Sequence, residues 1–310
     1  MQLFATNPNI DFMRVRRPAG IFSILLLVAS IVLLATRGLN PGIDFKGGVL
    51  VELGYEQPVE LSSVRQALSD AQLGSASVQY FGTQTDVLVR MAPDETADAA
   101  AISDRILAAL RTVGQSPEMR RVEFVGAAVG DELAIDGALA ALFALIGILI
   151  YVAFRFEWKF AVGAIAATSH DAIIVLGWFS LLGLEFDLTV LAAVLATIGY
   201  SLNDTIVVYD RVRERFLDLR RSEPVEVINS AVNQTLARTI VTSGTTLFVL
   251  LALFFLGGTV VHNFSTALIV GILVGTYSSI FVASGLLPML GVKHEDLLPP
   301  QDEDEVDELP

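Results

Sequence analysis

The sequence contains a long and largely apolar run: L-T-V-L-A-A-V-L-A-T-I-G-Y-S-L-N-D-T-I-V-V, from Leu188 to Val208. At a rise of about 1.5 Å per residue, a helix of this length crosses the roughly 30 Å hydrocarbon core of a bilayer. The stretch also contains Asp204. Because a carboxylate at the centre of a spanning helix costs roughly 2.5–3.5 kcal/mol to insert, Asp204 is a candidate functional residue.

Comparable apolar runs elsewhere make the chain a predicted six-span membrane protein. Of its 310 residues, 53% are hydrophobic. The predicted spans are Pro18–Thr36, Ile135–Phe154, Phe160–Leu182, Leu188–Val208, Thr239–Leu256 and Phe264–Met289. We interpret the first as an uncleaved span, since it lacks the small-residue cleavage site of a signal peptide.

The distribution of Lys and Arg predicts the orientation of the spans. Short loops rich in these residues stay on the cytoplasmic side, whereas acidic residues contribute little. Basic residues gather before the first span, after the second and after the fourth: Arg14, Arg16, Arg17, Arg155, Lys159, Arg211, Arg213, Arg215, Arg220 and Arg221. The loops 184–187 and 257–263 contain none. We therefore predict a multi-pass protein of the bacterial inner membrane with both termini in the cytoplasm.

The long segment between the first two spans is predicted to form a periplasmic α/β domain. Its candidate strands are 48–53, 77–81, 87–91 and 121–125, and its candidate helices are 61–73 and 97–113. This strand–helix–strand–strand–helix–strand order is typical of a ferredoxin-like domain. The predicted fold class is thus an α-helical membrane protein with six transmembrane helices and a ferredoxin-like α/β periplasmic domain between helices 1 and 2.

These elements divide the chain into five predicted parts. They are a cytoplasmic N-terminus (1–17), the first span (18–36), the periplasmic domain (37–133), a bundle of five further spans (134–289) and a cytoplasmic tail (290–310). The tail contains D-E-D-E-V-D-E at Asp302–Glu308. An acidic run of this kind predicts disorder.

Composition and motifs exclude several kinds of function. The chain has no cysteine, which excludes disulfides, thiolate metal sites and a cysteine nucleophile. It has no G-x-x-x-x-G-K-[ST], no G-x-G-x-x-G after a strand and no H-E-x-x-H. Its three histidines are isolated in sequence, and its net charge of −14 does not suit nucleic acid. We predict no metal, no cofactor, no nucleic-acid partner and no enzymatic activity, so that any work is driven by an ion gradient or by a partner.

Polar residues around Asp204 form a stripe on the predicted helix. Thr197, Tyr200 and Ser201 share a face with Asp204 through i, i+3, i+4 and i+7 spacing, and Asn203 lies beside it. In a spanning helix, such a stripe faces other helices or a water-filled path instead of lipid. The fourth span is therefore predicted to contact protein or water along this face.

Arg238 opens the fifth predicted span. It either anchors the helix at the membrane interface or pairs with an acid across a helix interface. A nearby Arg favours the charged form of an Asp, whereas loss of that Arg in a dry site favours the neutral form. An Asp that alternates between the two environments therefore binds and releases a proton. Hydroxyl residues that follow, including Thr242, either line a wet path or bond back to helix carbonyls.

Two further features lie inside predicted spans. His170 and Asp171, midway along the third span, form either a proton relay or a structural hydrogen-bonded pair. Gly271 and Gly275 predict close packing of the sixth span against a helix of this chain or of a partner. The candidate proton-pathway residues are thus Asp204, Arg238, His170, Asp171, Tyr200, Asn203 and Thr242.

Several motifs together resemble the SecF family, in the resistance-nodulation-division superfamily. They are G-I-D-F-K-G-G (Gly42–Gly48), V-G-D-E-L (Val129–Leu133), S-H-D (Ser169–Asp171), G-Y-S-L-N-D-T-I-V-V-Y-D-R-V-R-E (Gly199–Glu214), A-R-T-I-V-T-S-G-T-T-L (Ala237–Leu247) and G-T-Y-S-S-I-F-V-A-S (Gly275–Ser284). None of these motifs is specific alone, but the set is. It extends over nearly the whole chain apart from the middle of the outer segment and the acidic tail.

The resemblance implies a function that hydropathy does not show. Members of this family pair with SecD in a pseudo-symmetric twelve-span unit, which uses the proton-motive force to assist late-stage preprotein translocation. The implied partners are SecD, the SecYEG channel with YajC, the translocating preprotein and membrane lipid. The resemblance also assigns proton passage to the positions of Asp204 and Arg238, and it implies that the outer domain moves during the cycle.

Two other functions compete with this interpretation. One is a proton-driven exporter half for small solutes or lipids, although such exporters usually carry both halves in one chain. The other is an intramembrane aspartyl protease, which needs two aspartates that share a proton. Its second motif, G-x-G-D, is absent. Asp204 and Asp210 also lie about 240° apart around one helix, and we interpret Asp210 as a surface acid beside Arg211 and Arg213.

Overall fold

The computed structural model describes residues 9–92, 99–111 and 116–297. The chain folds into a bundle of long helices, with a smaller α/β domain inserted after the first of them. Six helices are long and apolar enough to cross a membrane. The ends of the predicted 97–113 helix, residues 1–8 and most of the predicted acidic tail lie outside the described residues.

The elements follow one another in the order in which the spans and the outer domain were predicted. The helices are α1 (Arg16–Thr36), α2 (Ile43–Lys46), α3 (Leu61–Asp70), α4 (Ala99–Leu110), α5 (Ala127–Arg155), α6 (Trp158–Leu182), α7 (Leu188–Asp218), α8 (Pro224–Leu256), α9 (His262–Ser278) and α10 (Ser284–Leu286). The strands are β1 (Asn40–Pro41), β2 (Gly48–Gly54), β3 (Ser77–Phe81), β4 (Thr83–Met91), β5 (Glu118–Val125) and β6 (Glu185–Phe186).

Several spanning helices are longer than the apolar runs that predicted them. α7 continues past Val208 to Asp218, and α8 begins at Pro224, well before Thr239. The apolar pattern marks only the part of a helix that crosses hydrocarbon, whereas a helix continues beyond it wherever polar residues still suit the helical backbone. The pattern therefore predicted the spans without predicting the ends of the helices.

α6 and α7 lie at the centre of the bundle. α7 packs against α6, α8 and α9, while α1 packs along α6. The approach of α1 depends on a small residue, because a Cβ on Gly177 would lie 2.3 Å from Ser30 Oγ. By contrast, α1, α5 and α8 expose large apolar side chains, among them Leu25, Phe143, Phe154, Phe248 and Phe255. Exposed apolar surface of this extent is typical of helices that face lipid.

The sixth span changes its helical form partway along. α9 is followed by a π-helix, Ser279–Ala283, before the short α10. A π-helix inserts an extra residue into the turn and recurs at functional sites. Here the change begins at Ser279, which contacts Asp204.

The outer domain is a four-stranded sheet with two helices on one face. The strand order is β3-β4-β2-β5, and neighbouring strands are antiparallel. The elements run β2–α3–β3–β4–α4–β5, which is the order that the sequence predicted. β4 begins earlier than expected, directly after a tight turn at Gly82, whose φ of 80° suits glycine. α3 and α4 bury a core that includes Val51, Leu53, Val64, Leu68, Ile102 and Ile106.

The opposite face of the sheet packs against α2, which in turn lies against α5 of the bundle. Ile43 of α2 packs there with Leu50 of β2 and Leu88 of β4. β2 is consequently buried on both faces along most of its length. The outer domain is therefore joined to the bundle by packed side chains as well as by the chain itself.

Candidate functional site

Asp204 is buried in the bundle and accepts hydrogen bonds from two hydroxyl groups. Asp204 lies on α7 and is 9% exposed. Thr239 Oγ1 of α8 donates to Asp204 Oδ1 over 2.7 Å, and Ser279 Oγ donates to Asp204 Oδ2 over 2.5 Å. Hydrogen bonds offset part of the cost of removing a carboxylate from water. The structure thus provides direct polar partners for an ionisable group in a spanning helix.

A cavity of about 270 Å³ opens beside Asp204, between α7 and α8. Its lining residues are Tyr200, Asn203, Asp204, Val207, Arg238, Thr242, Thr245 and Thr246. The structure therefore brings together the predicted candidates on α7 and α8. Because one water in the liquid occupies about 30 Å³, the cavity has room for several waters beside polar groups.

Arg238 lies at this cavity without direct contact to an acid. It is exposed, and among the described residues no carboxylate lies within ion-pair distance of it. Arg238 and Asp204 nevertheless line the same cavity. The arrangement therefore places a cation and a carboxylate at one polar opening without a direct ion pair between them among the described residues.

Asp171 is the centre of a second buried cluster, on α6. Asp171 is fully buried and His170 is 5% exposed. His170 Nδ1 lies 2.9 Å from Asp171 Oδ1, while Ser201 Oγ and Ser278 Oγ donate to Asp171 Oδ2 over 2.5 and 2.6 Å. His170 Nε2 is buried and has no hydrogen-bond partner among the described residues. Neither His170 nor Asp171 lines the cavity at Asp204.

Adjacent serines of the sixth span connect the two carboxylates. Ser278 donates to Asp171, and Ser279 donates to Asp204. Ser201, one turn before Asp204 on α7, also donates to Asp171. The two buried acids consequently share one packed interface between α6, α7 and the α9–π-helix junction.

The threonines along the cavity satisfy their hydroxyls within α8. Thr242 Oγ1 donates to Arg238 O over 3.0 Å, and Thr246 Oγ1 donates to Thr242 O over 2.9 Å. Thr245 Oγ1 donates to Val241 O over 2.9 Å. The two alternatives considered for these residues are compatible, since the same side chains line the cavity and bond back to the helix.

The glycines of the sixth span lie against α7 of the same chain. A Cβ on Gly271 would lie 2.3 Å from Thr197 Oγ1, and one on Gly275 would lie 3.1 Å from Ser201 Cβ. Any side chain at Gly271 would therefore force the two helices apart. This close approach is what lets Ser278 and Ser279 reach the carboxylates.

Asp210 lies apart from the buried cluster. Arg155 of α5 donates to it over 2.9 Å, and both side chains are more than two-fifths exposed. It is a surface acid, as expected, but its partner is Arg155, and Arg211 pairs with Glu214 instead. Asp204 and Asp210 therefore do not form a dyad. In the described parts of the chain, His, Asp and Glu side chains form no group of three that could hold a metal ion.

Sequence reasoning did not identify Ser278, Ser279 and Thr239 as partners of the carboxylates. Hydroxyl residues in spanning helices often bond to their own backbone, so their presence alone does not single them out. For Ser278 and Ser279, the available signal was their position one turn beyond Gly275, in a helix already predicted to pack closely. Thr239 carried no comparable signal.

The chain matches two family models. Residues 105–293 match the model described as protein export membrane protein SecD/SecF, C-terminal, and residues 32–59 match the SecD/SecF GG motif. Among relatives, the protein translocase subunit SecF of Vibrio alginolyticus is 50% identical over 100% of this chain and 99% of its own length. The SecF subunit of Pseudomonas aeruginosa is also 50% identical, over 97% of this chain and 98% of its own length.

Solved structures of SecDF have the same fold over most of the chain. SecDF from Thermus thermophilus, a translocon-associated membrane protein, matches with a TM-score of 0.84 and 39% identity over 93% of this chain. A SecDF structure in a super-membrane-facing form matches with a TM-score of 0.70 and 40% identity over 92% of this chain. The chain spans 39% of the length of each of these SecDF chains. From its full-length likeness to SecF subunits and the match of its spans to the family model, the chain belongs to the SecF family of protein translocase subunits.

Proposed function

We propose that this chain uses the proton-motive force to assist late-stage translocation of preproteins, as one half of a unit that SecD completes. As a member of the SecF family, the chain is an accessory subunit of the Sec protein translocase. The proposal adds the source of energy, the route of the proton and the partners. In this proposal, the proton gradient alone drives the work of the chain, without a bound cofactor and without catalysis of a covalent reaction.

The observation that carries the proposal is the placement of Asp204 at a polar cavity that opens on the lateral surface of the bundle, between α7 and α8. Asn203, Arg238, Thr242 and Thr245 are exposed at or beside this cavity. In a spanning region, charged and polar groups face protein or water and avoid lipid. A second set of helices therefore covers this face, and the longer single chain of SecDF supports a SecD-type partner in that place.

The two buried carboxylates suit proton transfer. Asp204 lines the cavity that Arg238 also lines, while Asp171 is fully buried and does not line it. In this proposal, a proton that enters from the outer side binds Asp204 and weakens its attraction to Arg238, and its release restores that attraction. One charge moved across about 100 mV releases roughly 2.3 kcal/mol, so a few protons are sufficient to drive a domain movement.

The outer domain is proposed to be a ferredoxin-like domain in the periplasm. Its antiparallel order β3-β4-β2-β5 and its two helices on one face support that class. Basic residues gather at the start of α1, at the junction of α5 and α6, and at the end of α7 with the turn that follows it. This distribution supports cytoplasmic termini in the bacterial inner membrane. We also propose the five parts of the chain that the sequence predicted, with boundaries near residues 17, 36, 133 and 289.

The proposed partners follow from the family. SecD covers the polar face, the SecYEG channel with YajC supplies the translocating preprotein, and lipid surrounds α1 and α5. Nucleic acid has no place in the proposal, because the chain carries a net charge of −14.

The test is preprotein translocation into inverted membrane vesicles with and without an imposed proton gradient. Asp204→Asn and Arg238→Met are each expected to preserve assembly with SecD and to abolish the gradient-dependent stimulation. Asp210→Asn, which alters a surface ion pair of the same helix, is the matched control and is expected to keep the stimulation. Full stimulation in Asp204→Asn would exclude the proposed route.

A further inference from the structure

A short loop on the outer side of the bundle is where the outer domain meets the helix that carries Asp204. The loop is residues 183–187, between α6 and α7, and includes β6. It is contacted by residues 40–47, which precede β2 of the outer domain, and by β4 of the outer domain itself. We call residues 40–47 together with this loop the joint.

Asp44 of the joint binds the first turn of α7. Leu188 N–H donates to Asp44 Oδ2 over 2.9 Å. Asp187 Oδ1, next to it, accepts from Val190 N–H over 2.8 Å. The first N–H groups of a helix have no partner within the helix, and negative charge is favoured beside them. One of the two caps of α7 is thus local, whereas the other comes from the segment that leads into the outer domain.

Backbone pairing and aromatic contact hold the same segment against the loop. β1 pairs in parallel with β6, and Gly42 N–H donates to Phe186 O over 2.8 Å. The Phe45 ring stacks on the Phe186 ring with a centroid distance of 5.7 Å. These contacts fix the position of Asp44 relative to α7 without depending on Asp44 alone.

At its other end, the joint crosses the start of α5 at backbone distance. A Cβ on Gly47 would lie 2.8 Å from Ala127 Cα, and Gly47 has a φ of 70°. Gly130 faces the same crossing, since a Cβ there would lie 2.9 Å from Gly47 N. Only glycine fits such an approach with this backbone conformation. The joint is therefore clamped between the first turns of α5 and α7.

An ion pair connects the loop to the sheet of the outer domain. Arg90 of β4 pairs with Glu185, and both side chains are about four-fifths buried. Asn263, at the start of α9, donates to the Glu185 carbonyl over 3.2 Å. A displacement of the sheet therefore acts on the loop directly, at a residue two positions before the N-terminal cap of α7.

We infer that Asp44 and the Arg90–Glu185 pair are positioning residues that couple the outer domain to the helix carrying Asp204. The inference rests on the proposed function, because it takes a change of protonation at Asp204 as the event to be transmitted. Leu188 and Asp204 lie on one continuous helix, about 24 Å apart along its axis at 1.5 Å per residue. A rigid helix held at its first turn transmits a shift or tilt of its middle to whatever caps it.

The coupling is measured as a change of distance between two spin labels. The chain has no cysteine, so two introduced cysteines place one label in the outer domain and one in the bundle. They are Ser63→Cys on α3 and Leu182→Cys at the end of α6. The protein is reconstituted in vesicles with a cysteine-free SecD partner. An imposed proton gradient is expected to shift the distance distribution in the otherwise unchanged protein, and Asp44→Ala is expected to abolish that shift.

Asp187→Ala is the matched control, because it removes the other carboxylate from the same helix end. Both substitutions are expected to speed hydrogen exchange of the first-turn amides of α7 by about fivefold to tenfold, as the loss of a cap does. Only Asp44→Ala is expected to lose the gradient-dependent shift. Retention of the shift in Asp44→Ala, or an equal loss in Asp187→Ala, would overturn the inference.

A charge exchange tests the ion pair independently. Arg90→Glu and Glu185→Arg are each expected to weaken the gradient-dependent shift, and the double variant is expected to restore at least half of it. No restoration would remove this pair from the coupling.

The outcomes also separate the inference from the proposed function. If Asp204→Asn abolishes stimulated translocation but no shift occurs in the parent protein, the proposed function stands and the coupling is wrong. If Asp204→Asn keeps full stimulation while Asp44→Ala abolishes the shift, the proposed proton route is wrong and the joint is supported.

Discussion

Ser279 Oγ donates a hydrogen bond to Asp204 Oδ2 over 2.5 Å, and Ser279 is also the residue at which the sixth span changes from an α-helix to a π-helix. The altered turn therefore sets the position of a donor to the buried carboxylate. Its neighbour Ser278 donates to Asp171, so the two acids depend on one short stretch of backbone. A change of protonation at either acid alters the hydrogen bonding of that stretch.

Replacement of Ser279 by Ala is expected to lower proton-driven stimulation of translocation while preserving assembly. Asp204 would retain only Thr239 as a donor, and a buried charged group that loses a hydrogen bond costs roughly 1.5–3 kcal/mol. Ser279→Thr keeps a hydroxyl and is expected to restore much of the stimulation. Ser284→Ala is the matched control, since Ser284 Oγ donates to Ser279 O and has no carboxylate partner in the described part of the chain. Equal losses in Ser284→Ala and Ser279→Ala would contradict a role for the hydrogen bond itself.

Removal of Asp171 is expected to destabilise the chain far more than removal of Asp210. Asp171→Ala removes the buried partner of Ser201 and His170, while Ser278 keeps Gly275 O as an acceptor. Each buried polar group left unpaired costs roughly 1–3 kcal/mol. Asp210→Ala breaks an exposed ion pair that contributes about 0–1 kcal/mol. The measurement is the midpoint of thermal unfolding in detergent. A midpoint for Asp171→Ala close to that of Asp210→Ala would show that the cluster does not stabilise the bundle.

Asp204 and Asp171 could be predicted as candidates from the sequence because charge in an apolar run is costly and therefore conspicuous. Their partners could not be predicted in the same way. Which of many hydroxyls reaches a carboxylate depends on the rotation and separation of packed helices, and a helical repeat does not determine these quantities between helices. The π-helix at Ser279 also shifts side chains away from the positions that a regular 3.6-residue repeat predicts.

The outer domain was predictable in its order of elements because strands and helices there have short, local patterns. The contact between Asp44 and Leu188 was not, since the two residues are 144 positions apart and meet only in the folded protein. The notable feature in the sequence was the glycine pair at Gly47 and Gly48, which indicates a close approach of backbones without naming the partner.

Gly271→Ala is expected to separate α9 from α7 and to lower both stability and translocation. A Cβ there would overlap Thr197, and overpacking of this kind typically costs about 1–3 kcal/mol. Gly147→Ala on α5 is the control, because nothing lies within 4 Å of a Cβ at that position. Thr197→Ala in the Gly271→Ala background removes the atoms closest to the new Cβ. We expect it to raise the midpoint of thermal unfolding above that of Gly271→Ala alone. If the double variant unfolds no later than Gly271→Ala alone, the contact with Thr197 is not the cause.

Tyr55 predicts how the stability of the outer domain depends on pH. Burial raises the pKa of Tyr55 to about 12, and its hydroxyl has no hydrogen-bond partner among the described residues. The unfolded chain, in which a tyrosine titrates near pH 10, loses the proton first. The stabilisation that comes from keeping Tyr55 neutral is therefore fully present below about pH 10 and is lost as the pH rises towards about 12.

Tyr55→Phe is expected to remove this part of the pH dependence. At about pH 8 the substitution should be neutral or slightly stabilising, because an unpaired buried hydroxyl is replaced by a hydrogen atom. At about pH 11 the variant should unfold at a higher temperature than the parent chain, as followed by circular dichroism in detergent. Tyr80→Phe removes an exposed hydroxyl from the same sheet and is expected to keep the parental loss of stability at high pH. Parallel melting curves for Tyr55→Phe and the parent chain across this range would show that Tyr55 is not shielded from water as its burial indicates.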